Sequence, residues 1–340
     1  MPYRLRRLAT CAVAGLFATV TACSSASQPA SSSASQSASS SASQSASSSG
    51  SQQTSETNRT ATVASERATA CAGAAASSTT HAMDVDGRNR TFIEHLPADF
   101  AASLKYPAII AFPGRGESDS QLQAYSQLDG VKAIVLYAEA LTGTGGQTSW
   151  ESTPYQGAAA QDYAFAADLV RWLAGSSCTE ANQIDMTGKS DGAGFAVSAA
   201  CGIAGVAAVA TVSGAFYQDE NHCTAQGRPL AILNMHGTDD PVIPYNGSTA
   251  DGLYSTDAWI RLWLHRDHCA GPDTDLSLAP DVIRSTWSSC ADGTTVVNYR
   301  ITGGGHTWPG ATAPSGPGST TDSIDAAQVM AAFFASHPLP

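Results

Sequence analysis

Gly188-Lys189-Ser190-Asp191-Gly192 decides the reading of this chain. Its pattern is G-x-S-x-G. An alternating, strand-like segment precedes it, Gln183-Ile184-Asp185-Met186-Thr187. A run of small apolar residues follows, Phe195-Ala196-Val197-Ser198-Ala199-Ala200, suited to a packed helix. Strand, tight turn and helix in that order predict a nucleophile elbow, whose turn strains the serine backbone and exposes its hydroxyl. Residues flanking such a turn must lack bulk, and Gly188 and Gly192 meet that need.

Two downstream segments supply partners for Ser190. The apolar run Pro229-Leu230-Ala231-Ile232-Leu233-Asn234-Met235 reads as a buried strand and ends in His236-Gly237-Thr238-Asp239-Asp240-Pro241. A carboxylate at that strand end can receive a histidine N–H and fix its tautomer; Asp239 and Asp240 both qualify. The run Thr294 to Ile301 is another strand and leads into Gly303-Gly304-Gly305-His306. A glycine loop of this kind can bring an imidazole close to a serine. Serine, aspartate and histidine, each after a strand and in that chain order, are what an α/β-hydrolase requires. The oxyanion of such a reaction is held by two backbone N–H groups. One is expected from Asp191, after the serine. The other is expected from Pro113-Gly114-Arg115-Gly116, which follows the apolar strand Tyr106 to Phe112. Pro113 has no N–H to give. Gly114 or Arg115 must serve, and Arg115 is preferred.

The rest of the chain alternates strands and helices. Asp84 to Ile93 reads as a β-hairpin turning at Asp86-Gly87. Ala133 to Ala138 and Val206 to Val212 are apolar strands. Gln161 to Leu173 repeats Phe165, Leu169 and Trp172 at helical spacing, and Ser255 to His265 and Ile324 to Ser336 also read as helices. This alternation predicts an α/β fold with a mostly parallel central sheet and helices on both faces. The connection between the Val206–Val212 strand and the next is too short for a large lid, so an open cleft at the serine is expected, suited to a bulky or polymeric ester.

Residues 1–23 read as an address. Tyr3-Arg4-Leu5-Arg6-Arg7 is a basic start, and Leu8 to Val20 is apolar but too short to span a bilayer stably. Val20-Thr21-Ala22-Cys23 resembles a bacterial lipobox, which makes Cys23 the expected lipidated first residue of an exported chain. Residues 24–68 form a Ser/Ala/Gln tract that cannot bury a core and is expected to be a disordered linker. Residues 69–340 then form the catalytic domain.

The sequence holds 8 cysteines. Setting aside Cys11 and Cys23 leaves Cys71, Cys178, Cys201, Cys223, Cys269 and Cys290, an even set that fits disulfides in an exported protein. The expected pairs are Cys71–Cys223, Cys178–Cys201 and Cys269–Cys290. No C-x-x-C spacing is present, and neither a metal nor another cofactor is expected. With 17 Lys+Arg against 29 Asp+Glu the net charge is −12, which argues against nucleic acid as a partner. The expected partner is a polymeric or oligomeric ester, bound by a monomer that meets a membrane only through its lipid anchor.

From Cys71 to Pro338 the chain resembles the exported feruloyl esterase and polyhydroxybutyrate depolymerase group of α/β-hydrolases. The resemblance is carried by Asp86-Gly87-Arg88-Asn89-Arg90-Thr91, Asp162-Tyr163-Ala164-Phe165, the elbow, His236-Gly237-Thr238-Asp239-Asp240-Pro241-Val242-Ile243-Pro244-Tyr245, and Gly303-Gly304-Gly305-His306-Thr307-Trp308-Pro309-Gly310. It implies a serine esterase with Ser190 as nucleophile, His306 as base and Asp240, the residue before the proline, as the orienting aspartate. Feruloyl esters of plant cell-wall polysaccharide are the implied substrate. Hydroxybutyrate polymer and acetyl xylan are alternatives, and so is a non-catalytic binding lipoprotein on the same fold. Two positions depart from the group: Pro113 stands where the oxyanion loop usually has His, and Asp191 follows the serine where Asn, Tyr or Phe is usual. The Asp191 side chain is expected to point outward. Trp308, two residues from His306, and Trp150 are candidate platforms for a phenolic or sugar ring.

Overall fold

A computed structural model describes residues 77–157, 160–219, 223, 227–271 and 274–340. Cys23, the Ser/Ala/Gln tract and Cys71 lie outside these residues. Ten strands form one sheet: β1 (Ser78–Val85), β2 (Arg88–His95), β3 (Tyr106–Phe112), β4 (Ile134–Ala138), β5 (Thr179–Lys189), β6 (Ala208–Val212), β7 (Ala231–Gly237), β8 (Thr274–Ala279), β9 (Val282–Trp287) and β10 (Val296–Ile301). Their order is β1-β2-β4-β3-β5-β6-β7-β10-β9-β8. From β4 to β10 every neighbouring pair is parallel. An antiparallel pair closes each side, β1–β2 and β9–β8. The fold is that of an α/β-hydrolase.

The parallel strands are apolar on both faces because helices cover both. Five helices are described: α1 (Asp119–Ser126), α2 (Asp162–Ala174), α3 (Asp191–Gly202), α4 (Thr256–Arg266) and α5 (Ala326–Ala335). Phe165, Leu169 and Trp172 of α2, the apolar residues of α3, and Trp259, Ile260 and Trp263 of α4 share one core with Ile110, Met186, Val209 and Ile232. Leu122 and Tyr125 of α1 pack with Met330 and Phe333 of α5 and with Ile109, Ala210 and Leu233. Capping side chains start three helices. Ser118 and Gln121 form a capping box at α1, and Ser255 and Asp325 accept N–H groups at α4 and α5. Among the described residues no helix is long and apolar enough to cross a membrane.

One disulfide corrects the expected pairing and another matches it. Cys201, in the last turn of α3, bonds Cys223, and Cys269 bonds Cys290 as expected. Cys178 therefore does not tie the elbow strand to α3, and Cys223 does not pair with Cys71. Cys178 is disulfide-bonded as well. The physical reason is reach. Cys201 and Cys223 have Cα atoms 5.4 Å apart, whereas Cys178 precedes β5 at the far end of the eleven-residue strand from the elbow.

Candidate active site

The G-x-S-x-G turn folds as the two glycines dictate. Ser190 sits between β5 and α3 with φ 56° and ψ −122°, a strained conformation for a residue with a side chain. A Cβ on Gly188 would stand 2.4 Å from the Gly192 carbonyl carbon, and one on Gly192 would stand 2.1 Å from the Phe112 oxygen. The strain is held by backbone bonds. The Ser190 N–H donates to the Val212 carbonyl at 3.0 Å, and its carbonyl accepts from Ala193, Gly194 and Ala215.

Two neighbouring strands deliver the other members. Asp240 follows β7 and His306 follows β10, and these two strands are paired in parallel. Their loops are tied together: Asp239 N–H donates to Gly304 O at 2.9 Å, and Gly303 N–H donates to Thr238 Oγ1 at 2.8 Å. His306 Nδ1–H then meets Asp240 Oδ2 at 2.8 Å. The other Asp240 oxygen accepts the Val242 and Ile243 N–H groups, both at 2.8 Å. Asp239 is exposed, and among the described residues its carboxylate accepts the neighbouring Thr238 hydroxyl alone. Geometry therefore separates the two aspartates that the sequence left side by side. With its proton on Nδ1, the His306 ring leaves Nε2 bare to accept one. Among the described residues no hydrogen bond joins Ser190 Oγ to His306; such contacts often close only around a substrate.

The electrostatics of the pair are set by burial and by its donors. Ser190, Asp240 and His306 are 7%, 6% and 5% exposed. All three are buried, and the described part of the β6–β7 connection contains no helix. Burial pushes the Asp240 carboxyl up, but hydrogen bonds from His236 and His306 outweigh it and hold the group well below the usual carboxylate range. Burial lowers His306, and the nearby Lys189 cation lowers it further against the opposing bond to Asp240. The imidazole is therefore neutral at pH 7.

The Asp191 side chain runs against expectation. Asp191 is only 3% exposed, and its Oδ2 accepts the Ser149 hydroxyl at 3.2 Å, itself buried beside Thr153. Burial raises this carboxyl to about 6, opposed by Ser149 and Arg115. The Asp191 N–H, at the first position of α3, has no acceptor within its helix. On the facing loop the Gly114 N–H is taken, donating to Glu117 Oε2 at 3.0 Å, which leaves Arg115 as the available donor of that pair. The Arg115 guanidinium lies 3.8 Å over the Tyr155 ring, and Tyr155 meets Tyr217 edge to face.

Neither tryptophan is a platform. Trp150 and Trp308 are both 0% exposed. Trp150 stacks on Phe195 and donates Nε1–H to Pro113 O at 2.9 Å, so it supports the Pro113–Gly116 loop from inside. Trp308 turns into the core under α1, near Tyr125. Tyr155, half-buried under Arg115, and Tyr217 beside it are aromatic residues that sequence reasoning did not single out. It also missed His236, whose Nε2 is 3.3 Å from Asp240 Oδ2 and 2.8 Å from Ile243 O. The i, i+4 spacing of His236 and Asp240 was the one available signal.

No protein-family model matches the chain. A protein of Nocardia uniformis subsp. tsuyamanensis named "Putative esterase NocK" is 26% identical over 288 residues, covering 76% of this chain and 83% of that one. Feruloyl esterase B of Piromyces equi is 28% identical over 215 residues, 60% of this chain; the match spans 39% of that relative's length. Among solved structures, acetyl xylan esterase from Aspergillus awamori superposes with a TM-score of 0.51 at 14% identity, over 76% of this chain and 99% of that one. At that identity the likeness concerns the fold. The chain is similar to feruloyl-esterase-like α/β-hydrolases, and its relatives support a carboxylic ester hydrolase.

Proposed function

We infer that this feruloyl-esterase-like α/β-hydrolase is an exported serine esterase working through an acyl-enzyme. The observation that carries the reading is the His306–Asp240 pair at 2.8 Å beside a serine held in a strained elbow. Ser190 Oγ attacks the ester carbonyl carbon while His306 Nε2 takes its proton. The tetrahedral oxyanion is received by the N–H groups of Asp191 and Arg115. Collapse breaks the ester C–O bond, and the alcohol leaves with the proton from His306. Water then attacks the acyl-serine with His306 again as base, releasing the acid and restoring Ser190. Asp240 holds the imidazole and stabilises its cation.

The substrate read from the family likeness is a hydroxycinnamoyl ester on plant cell-wall polysaccharide. Half-buried Tyr155, under the Arg115 guanidinium, is an aromatic surface that suits a phenolic ring. An acetyl ester is the second reading, favoured by the burial of Trp150 and Trp308, which removes the larger rings from the cleft. The disulfides support an oxidising compartment. We further propose lipidation at Cys23, with residues 24–68 as a linker to the catalytic domain.

Hydrolysis of methyl ferulate and of p-nitrophenyl acetate, each with wild type and Ser190→Ala, tests the proposal. Turnover of both that vanishes in the variant supports the feruloyl reading. Turnover of the acetate alone moves the substrate to small acyl groups. Activity retained by Ser190→Ala overturns the mechanism.

A further inference from the structure

We propose that Glu117 is a positioning residue for the oxyanion hole, acting through the Pro113–Gly116 loop and locked to the nucleophile elbow by Lys189. The proposal rests on the serine-esterase reading above. One carboxylate does three jobs. Its Oε2 accepts the Gly114 N–H at 3.0 Å and the Tyr125 hydroxyl at 2.8 Å, and its Oε1 pairs with Lys189 Nζ at 2.7 Å. The Glu117 backbone N–H in turn donates to Gly114 O at 3.1 Å. Gly114 is thus gripped at both of its polar atoms by the same residue.

That grip selects the donor. Pro113 has no N–H, and the N–H of Gly114 points at Glu117, so the next peptide, that of Arg115, is the one turned free. The loop lies directly on the nucleophile, since a Cβ on Gly114 would stand 3.2 Å from Ser190 Cβ. Lys189 immediately precedes Ser190 in the chain and its side chain is 2% exposed. A buried ammonium needs its counter-charge, so Glu117 cannot swing away without stranding it. The ion pair spans 72 residues of sequence and ties the loop after β3 to the last residue of β5, next to Ser190. Oxyanion donors work only within a few tenths of an ångström of their acceptor. A carboxylate that sets where this loop rests against Ser190 sets that distance.

Glu117→Ala and Glu117→Gln, beside wild type, test this with kcat and KM per titrated active site and with the Ki of an alkylboronic acid, a mimic of the tetrahedral anion. Glu117→Ala is expected to lose about 100-fold in kcat, the effect of one oxyanion donor, with KM changed less than about threefold. The boronate Ki should rise in proportion to the loss in kcat/KM. Glu117→Gln keeps an amide oxygen for the Gly114 N–H and should recover to within about tenfold of wild type. If Glu117→Ala does not fold, Glu117→Gln carries the test by the same proportion between Ki and kcat/KM. Variants that melt earlier but keep wild-type kcat and boronate affinity overturn the proposal. Wild type whose Ser190 takes no fluorophosphonate ends the esterase reading and this proposal with it. Labelled wild type with unchanged variants ends this proposal alone.

Discussion

His236 Nε2 approaches Asp240 Oδ2 to 3.3 Å, the same oxygen that His306 holds at 2.8 Å. The aspartate therefore faces two imidazoles. His236 also donates to Ile243 O at 2.8 Å, so its Nε2 carries the proton. Removing it takes a donor from an ionised carboxylate. For His236→Ala we expect kcat to fall about tenfold, from a lost hydrogen bond to a charged group worth about 1.5 kcal/mol, with KM little changed. Steady-state kinetics and the rate of fluorophosphonate labelling of Ser190 should fall together. Wild-type kcat would assign His236 to the turn alone.

The acid limb of kcat/KM should lie below the ordinary imidazole value of about 6.5. Burial and the Lys189 cation lower His306, and only its neutral form accepts the serine proton. Activity is thus full at neutral pH and is lost as pH falls through the lowered value. A pH–rate profile with an inflection above 7 would contradict this sign.

Gly192→Ala should disable the elbow. The new Cβ would meet Phe112 O at 2.1 Å and Pro113 O at 2.3 Å, both backbone atoms of the strand and loop that face Ser190. Overpacking of this kind costs about 1–3 kcal/mol and would push the oxyanion loop outward. A lower melting temperature together with loss of fluorophosphonate labelling is the expected result.

Asp191→Asn should stabilise the fold at neutral pH. Burial raises the folded carboxyl to about 6, above the unfolded value of about 3.9. As pH rises through that window the unfolded state ionises first, so wild-type stability declines from about 4 to 6 and stays lower above it. Asparagine does not titrate. Its advantage in melting temperature should therefore be larger at pH 8 than at pH 4, and an advantage that grew toward acid would reverse the argument.

The strands that place the site were legible because they are short apolar runs ending in unusual residues. Tyr106–Phe112 coincides with β3, and the segments leading to Ser190, Asp240 and His306 are all strands. Less visible were elements whose signal is weak or distant. Helix α1 spans only Asp119–Ser126, and β8 exposes Leu276 and Leu278, so neither shows clean periodicity. Trp308 follows His306 closely in sequence, yet its ring turns inward, since nearness along a chain does not fix a side chain's direction. Asp191 turned inward for the same reason: the first position of a packed helix offers little solvent. The partners Cys201–Cys223 and Lys189–Glu117 are settled by reach in space, which one sequence does not disclose.

Strand β6 holds none of the three residues read as the catalytic set, yet it lies between β5, which leads into Ser190, and β7, which leads toward Asp240. It acts as a spacer of fixed width, and its end is stitched to the elbow through Val212 and Ala215. Among the described residues, 246–252 make no hydrogen bond to Ser190, Asp240 or His306. For an engineer this divides the molecule into a part to leave alone and a part to vary. Libraries placed in residues 246–252 would change which esters reach the serine while the chemistry stays in register.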